Sequence, residues 1–355
     1  MRAVIARAVP WCLACLVAAC GPGRAAPAQP PTTPDPADPA PATRPEPSGG
    51  ALQIVDATAA YFAFWDRHAD DPLEVQVEGF IAEVVPAHPE LYTAEVLGLQ
   101  GDDYDEALAA RLREILPRSR DELDDIRATH ADLQSQLARY QASFTQAFPD
   151  FEPDAPVYLM GAIGSFDGAT RMVDGRSSLM FGVDGITLFH AEGADPAAFF
   201  HHELFHVYHR QVLEAGGVDM DSERNRNMAM ALWGEGLAVY VSGELNPGST
   251  PEELLLTPEM IEQTDARRQE LTAELLEHLR SGDERLYASY FLGANGGRVP
   301  KRCGYYLGMQ IAARVRGDRK LAALARLSGD ALVDEIADAL REIGTAPKPA
   351  STPGN

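Results

Sequence analysis

The stretch Phe199–Val212 reads FFHHELFHVYHRQV and sets four histidines on a segment otherwise built of aromatic and helix-forming residues. Residues four apart on a helix lie one above the other, so His202 and His206 can bring both imidazoles to one point. Glu203 stands between them in the pattern H-E-x-x-H, three positions before His206 and at the border of the same face. That placement suits a base rather than a third ligand. Zn²⁺ lowers the pKa of its water to about 7, and a neighbouring carboxylate can take the proton as the water attacks a carbonyl. The flanking Phe199, Phe200, Leu204, Phe205 and Val207 are too apolar for an exposed helix, and ionisable groups on a buried helix need partners. His201 points off the motif face and reads as a neighbour only. His209, one turn beyond His206, either supports the ligands from outside or caps the cavity or meets solvent; it is not counted as a ligand.

A catalytic zinc takes three protein ligands and leaves a fourth position for water. Downstream carboxylates are Glu214, Asp219, Asp221, Glu223, Glu235 and Glu244. Glu214 is too far along the same helix, and residues 219–223 sit in the polar connection GGVDMDSER. Glu235 lies in the apolar run MAMALWGEGLAVYVSG, where a buried carboxylate without a partner would be costly. Gly234 and Gly236 on either side would let this helix approach the first one closely. Glu235 is therefore the expected third ligand.

His202-Glu203-Leu204-Phe205-His206 followed by Trp233-Gly234-Glu235-Gly236-Leu237-Ala238 resembles the gluzincin metallopeptidases, in which a glutamate on the next long helix completes the H-E-x-x-H site. The chain departs from the alanyl aminopeptidases in its longer gap between motifs and its lack of a G-x-M-x-N loop. It is more similar to a little-characterised bacterial family of predicted zinc-dependent proteases that combine H-E-x-x-H, E-G-L-A and a later G-Y-x-x-G, here Gly304-Tyr305-Tyr306-Leu307-Gly308. The resemblance spans roughly residues 156–316. It implies a mostly helical α+β, zincin-like metalloprotease fold, a Zn²⁺ cofactor, a peptide or protein substrate, and peptide-bond hydrolysis with Glu203 as general base. It also implies a downstream hydroxyl or imidazole donor for the oxyanion, for which Tyr305 is the first candidate and Tyr306 and Tyr240 stand behind it. In zinc peptidases of this fold an edge strand pairs with an extended substrate, so SSLMFGV or GITLFH is the strand expected to do so.

The motif helix sits in an ordered context. LQIVDATAAYFAFWDRH, YDEALAARLREIL and RDELDDIRATHADLQSQLARYQASFTQAF carry helical apolar spacing, which makes residues 51–150 a helical region, with Asp121 a cap and Pro149 a stop. The stripe Tyr61, Phe62, Phe64 and Trp65 reads as core. From Pro156, PVYLMGAIGS, SSLMFGV and GITLFHAEG are short apolar runs, and Asp184-Gly185 between the last two is a hairpin signal. A small, mainly antiparallel sheet is thus expected before the H-E-x-x-H helix, within a metallopeptidase domain at 151–345. Asp195 and Pro196 suit the N-cap and first turn of that helix. Further helices are expected near 223–245, 258–281, 303–316 and 330–343, then a disordered tail at 346–355.

The chain has 355 residues and a formal net charge of −23, which excludes a phosphate-binding, nucleic-acid partner. At the N-terminus, MRAVIAR and the short apolar run AVPWCLACLVAA form a secretion signal, too short for a spanning helix. Val17-Ala18-Ala19-Cys20 resembles a bacterial lipobox, which implies a signal at 1–19 and lipidation of Cys20. The Pro- and Ala-rich residues 20–50 then read as a tether. This implies a lipid-anchored protein of the cell envelope, on the outer membrane if the source is Gram-negative, since Gly21 stands where a retention Asp would. After processing only Cys20 and Cys303 remain, so no internal disulfide forms, and Cys303 reads as a small buried apolar residue. A rival reading is an envelope lipoprotein that keeps the fold as a binding, scaffold or metal-handling module. Nothing in the sequence fixes an oligomeric state.

Overall fold

The computed structural model of the chain describes residues 52–346, apart from 154, 191–194, 258 and 294–295. The signal, the Cys20 lipobox, the tether and residues 347–355 of the tail lie outside the described residues. In chain order the elements are β1 (Ile54–Asp56), α1 (Ala59–His68), α2 (Leu73–Glu83), α3 (Ala94–Leu97), α4 (Tyr104–Asp121), α5 (Leu123–Ala147), β2 (Val157–Met160), β3 (Gly168–Val173) and β4 (Arg176–Gly182). There follow α6 (Val183–Phe189), α7 (Ala197–Ala215), α8 (Met228–Leu245), α9 (Pro251–Leu255), α10 (Glu259–His278), α11 (Glu284–Tyr287), α12 (Cys303–Arg316), α13 (Leu321–Leu324) and α14 (Gly329–Thr345). The class is α+β, mostly helical with one small sheet. No described helix is long and apolar enough to cross a membrane.

The sheet corrects four expectations. Its order is β1-β2-β4-β3, and only β3 and β4 run antiparallel; β1 with β2 and β2 with β4 are parallel, so the sheet is mixed rather than mainly antiparallel. Ile54–Asp56, expected to begin a helix, is instead an edge strand whose Ile54 pairs with Val157. Such a partner about a hundred residues away leaves no local periodicity. The helical region thus shares its sheet and its core with the residues that follow.

Asp184-Gly185 is not a hairpin turn. β4 already has a neighbour on each side, so a partner strand after it has no place to pair. Residues 183–189 form α6 instead. The fully buried Asp184 carboxylate accepts the N–H groups of Ala162 at 2.6 Å and Gly164 at 2.8 Å, tying the turn after β2 to the start of α6. Gly185 lies so close to the Phe166 carbonyl that any side chain there would overlap it. As a consequence neither SSLMFGV, which is interior, nor GITLFH, which is helical, offers an edge. The edge near α7 is β3.

Tyr61, Phe64 and Trp65 are buried, and Phe62 packs beside His130 at 5.1 Å, so the aromatic stripe is core as expected. Asp121 is the last residue of α4 rather than a cap; Glu122 occupies the junction with α5.

Candidate metal centre

α7 carries the motif between the sheet and α8. On one side Phe200 stacks on Phe181 of β4, ring centroids 5.0 Å apart, with Phe199 edge-on to the same ring at 5.8 Å. On the other, Ser242 of α8 donates to the Ala198 carbonyl. Burying this much aromatic surface fixes which face of α7 looks at α8, and with it the direction of His202 and His206. The Asp195 carboxylate accepts the Ala197 N–H at 2.9 Å, and Pro196 is the N-cap, one residue later than expected.

His202, His206 and Glu235 converge. The two Nε2 atoms lie 3.0 Å apart, and Glu235 Oε2 is 3.5 Å from the first and 3.4 Å from the second. A point equidistant from the three atoms in their plane lies about 1.9 Å from each, just under the roughly 2.0–2.2 Å of a transition-metal bond to nitrogen or oxygen. The three side chains are nearly buried, with 11%, 14% and 7% of their surface left exposed. Two imidazole nitrogens and a carboxylate aimed at one spot form a set that can hold a metal ion.

Charge agrees with that arrangement. Burial opposes charge on both His206 and Glu235, yet their mutual attraction raises the imidazole to about 9 and holds the carboxyl well below its usual range. Burial lowers His202. The pocket therefore collects one negative charge and one displaceable proton where a cation fits.

Glu203 is 1% exposed, and neither carboxylate oxygen has a hydrogen-bond partner. Burial raises its carboxyl to about 8. It faces β3: a Cβ on Gly168 would fall 2.8 Å from its Cγ. An orphaned buried carboxyl of this kind is destabilising, so its presence calls for a chemical reason.

The glycines of the second motif act differently from expectation. Gly236 does not bring α8 against α7; it brings α8 against α12, where its backbone meets that of Gly308 with no room for a Cβ on either. Gly234 has open space at that position. The crossing sets the register of α12 and leaves Tyr305, one turn before Gly308, with its ring 6.3 Å from that of His202. Tyr305 is buried. The other two tyrosines are committed elsewhere: Tyr306 donates to Asp265 at 3.4 Å, and the Tyr240 hydroxyl accepts from Arg316 at 2.8 Å. Of the three, Tyr305 is the one beside the candidate ligand His202.

His201 is a structural residue, hydrogen-bonded at 2.8 Å to Ser143 and at 2.8 Å to Asn246. His209 is not solvated. It is 4% exposed, stacks on Phe205 at 5.3 Å, and burial lowers its imidazole to about 3. Cys303 is buried, which raises its thiol to about 12. Two features escaped the sequence. Asp167 and His190 form a buried pair at 3.0 Å; burial works to raise the Asp167 carboxyl, but the His190 bond holds it below its usual value. The pair sits beside the candidate base, since His190 packs on Phe199 at 4.6 Å and Asp167 accepts the Gly168 N–H at 2.9 Å. The other is Arg302, whose guanidinium lies over the Tyr305 ring at 4.1 Å. Neither shows a motif; only folding brings them in.

No family model matches the chain, and no curated protein or solved structure matches it.

Proposed function

We propose that this chain is a zinc-dependent peptidase of zincin-like fold, with His202, His206 and Glu235 as ligands and Glu203 as general base. The observation that carries the reading is the conjunction of a converging His-His-Glu set with a fourth carboxylate, Glu203, buried beside it with no partner. A structural site would have no use for that second carboxyl. Zinc held by these residues supplies Lewis acidity, polarising a carbonyl and making water acidic enough to ionise near neutral pH.

The residues then divide the work. Glu203, which the charge of a bound cation would keep as a carboxylate against the protonation that burial favours, takes a proton from the attacking water and passes it to the leaving nitrogen. Tyr305 donates from its hydroxyl to the developing oxyanion. Asp167, hydrogen-bonded to the N–H of Gly168, steadies β3 against Glu203. β3 is a sheet edge beside the base, so an extended peptide can add to it as a further strand. The leader adds a location: a lipid on Cys20 tethers the enzyme to an envelope membrane, the outer one in a Gram-negative cell.

Zinc content and hydrolysis of a broad peptide library, for the protein and its Glu203→Gln variant, test the reading. One zinc in both with cleavage by the first alone supports it; zinc without cleavage by the wild-type protein ends it. Cys20→Ala should release the protein from membranes, and unchanged association would remove the anchor.

A further inference from the structure

We propose that Arg302 selects the substrate by binding a carboxylate that lies within about three residues of the scissile bond. Carboxylate binding stands on Arg302 itself; that the bound molecule is a substrate rests on the proposed peptidase activity.

The backbone gives the first indication. Arg302 is in the left-handed region at φ 60°, ψ 17°, at the N-cap of α12. In the preceding segment the other described positive-φ residues, 293, 296 and 297, are all glycine. A glycine would relieve the same strain at 302, so the side chain is kept against a backbone cost, and such outliers gather at ligand sites.

The side chain gives the second. Its guanidinium carbon stacks 4.1 Å from the Tyr305 ring centroid, and that ring is 6.3 Å from His202. The cation is thus no farther from the ligand ring than these two steps laid end to end. About three residues of extended peptide cover that length.

The third is the lack of a mate. Arg302 forms no ion pair among the described residues, and its Nε is buried without a hydrogen-bond partner. The nearby carboxylates are otherwise disposed: Asp167 binds His190 and the Gly168 N–H, Glu235 faces the two ligand histidines, and Glu203 touches no donor. Its charge is nonetheless felt at Asp167, His202 and Glu203. In a chain with 53 acidic and 30 basic residues, an unpaired arginine at the site is a specific placement. Its planar fork, held flat on an aromatic ring, suits two parallel bonds to a carboxylate. That group is either the C-terminus of a short peptide or an acidic side chain in a longer one.

The test is equilibrium binding by calorimetry to the zinc-loaded full chain carrying Glu203→Gln, so that turnover plays no part. The probes are acetyl-tetra-alanine as free acid and as amide, and amidated acetyl-pentapeptides with one Glu or one Gln at each position. Binding at least tenfold tighter for the acid over the amide identifies a terminal carboxylate; the same ratio for Glu over Gln identifies a side chain. In either case Arg302→Gln should bring the ratio to about one and Arg302→Lys should keep part of it. Arg302→Gly should abolish the preference while raising the melting temperature, which separates lost recognition from misfolding. Ratios near one in the parent, or a preference that survives Arg302→Gln, overturn the proposal. Hydrolysis of the tightest-binding probe by the protein with Glu203 intact is a separate readout, and its absence counts against the peptidase reading alone.

Discussion

Two glycines two positions apart on α8 should respond in opposite ways to the same substitution. Alanine at an interior helix position ordinarily gains about 1 kcal/mol over glycine. Gly234 has no heavy atom within 4 Å of where its Cβ would sit, so Gly234→Ala should collect much of that gain. At Gly236 the new methyl would meet the Gly308 carbonyl carbon, Cα and oxygen, the farthest of them at 2.5 Å. Backbone cannot rotate away as a side chain can, so α8 and α12 must part by about 1 Å to restore ordinary contact. Overpacking of that kind costs about 3 kcal/mol, which leaves Gly236→Ala about 2 kcal/mol less stable after the helix gain. At roughly 2 °C per kcal/mol for a folded unit of this size, Tm should fall by about 4 °C for Gly236→Ala and rise by about 2 °C for Gly234→Ala. The same parting carries Tyr305 away from His202, and a displacement of about 1 Å near reacting groups can cost up to about 10²-fold in turnover. Calorimetric melting and peptide hydrolysis on the two variants read both effects. A Gly236→Ala protein as stable as Gly234→Ala would refute the close crossing and the role given to it.

Three further outcomes follow from the site. In metal-free protein, burial raises the Glu203 carboxyl from 4.5 to about 8, so its contribution to stability is present below pH 4.5 and lost as pH rises to about 8. The loss runs at up to about 1.4 kcal/mol per pH unit, and urea midpoints of Glu203→Gln should gain on the wild type across that window; parallel profiles would contradict it. Because Glu235 raises His206 to about 9, metal must displace a proton, and zinc affinity in chelator competition should climb about tenfold per pH unit up to about pH 9. A flat profile would mean His206 is not a ligand. Tyr305→Phe should lower turnover by about 10²-fold with zinc content unchanged, and an active variant would remove the oxyanion role.

What could be read from the chain depended on whether the signal was local. His202, Glu203 and His206 were singled out by helical spacing alone, and Glu235 by the cost of a carboxylate in an apolar helix; the structure brings His202, His206 and Glu235 together in a group that could hold a metal ion. The helices α7, α8, α10, α12 and α14 also lie close to their expected places, since each carries its own periodicity. The sheet was less legible. β1 joins β2 across a hundred residues, and Asp184-Gly185 has the composition of a turn while serving as a buried carboxylate and a point of close packing. Gly236 was rightly marked for close approach but against the wrong helix, because its partner Gly308 is far along the chain. His209 has helical phase with the ligands, yet an apolar wall rather than solvent surrounds it. Arg302 carries no spacing at all; its meaning comes from a backbone angle and a ring beneath it.

The central claim is that one zinc ion sits on His202, His206 and Glu235 with Glu203 beside it but not bound. Anomalous diffraction at the zinc edge, on crystals of the metal-loaded protein, measures this directly. The account predicts a single peak about 2.0–2.2 Å from both Nε2 atoms and a Glu235 oxygen. A peak elsewhere, or one that takes Glu203 as a fourth protein ligand, would contradict it.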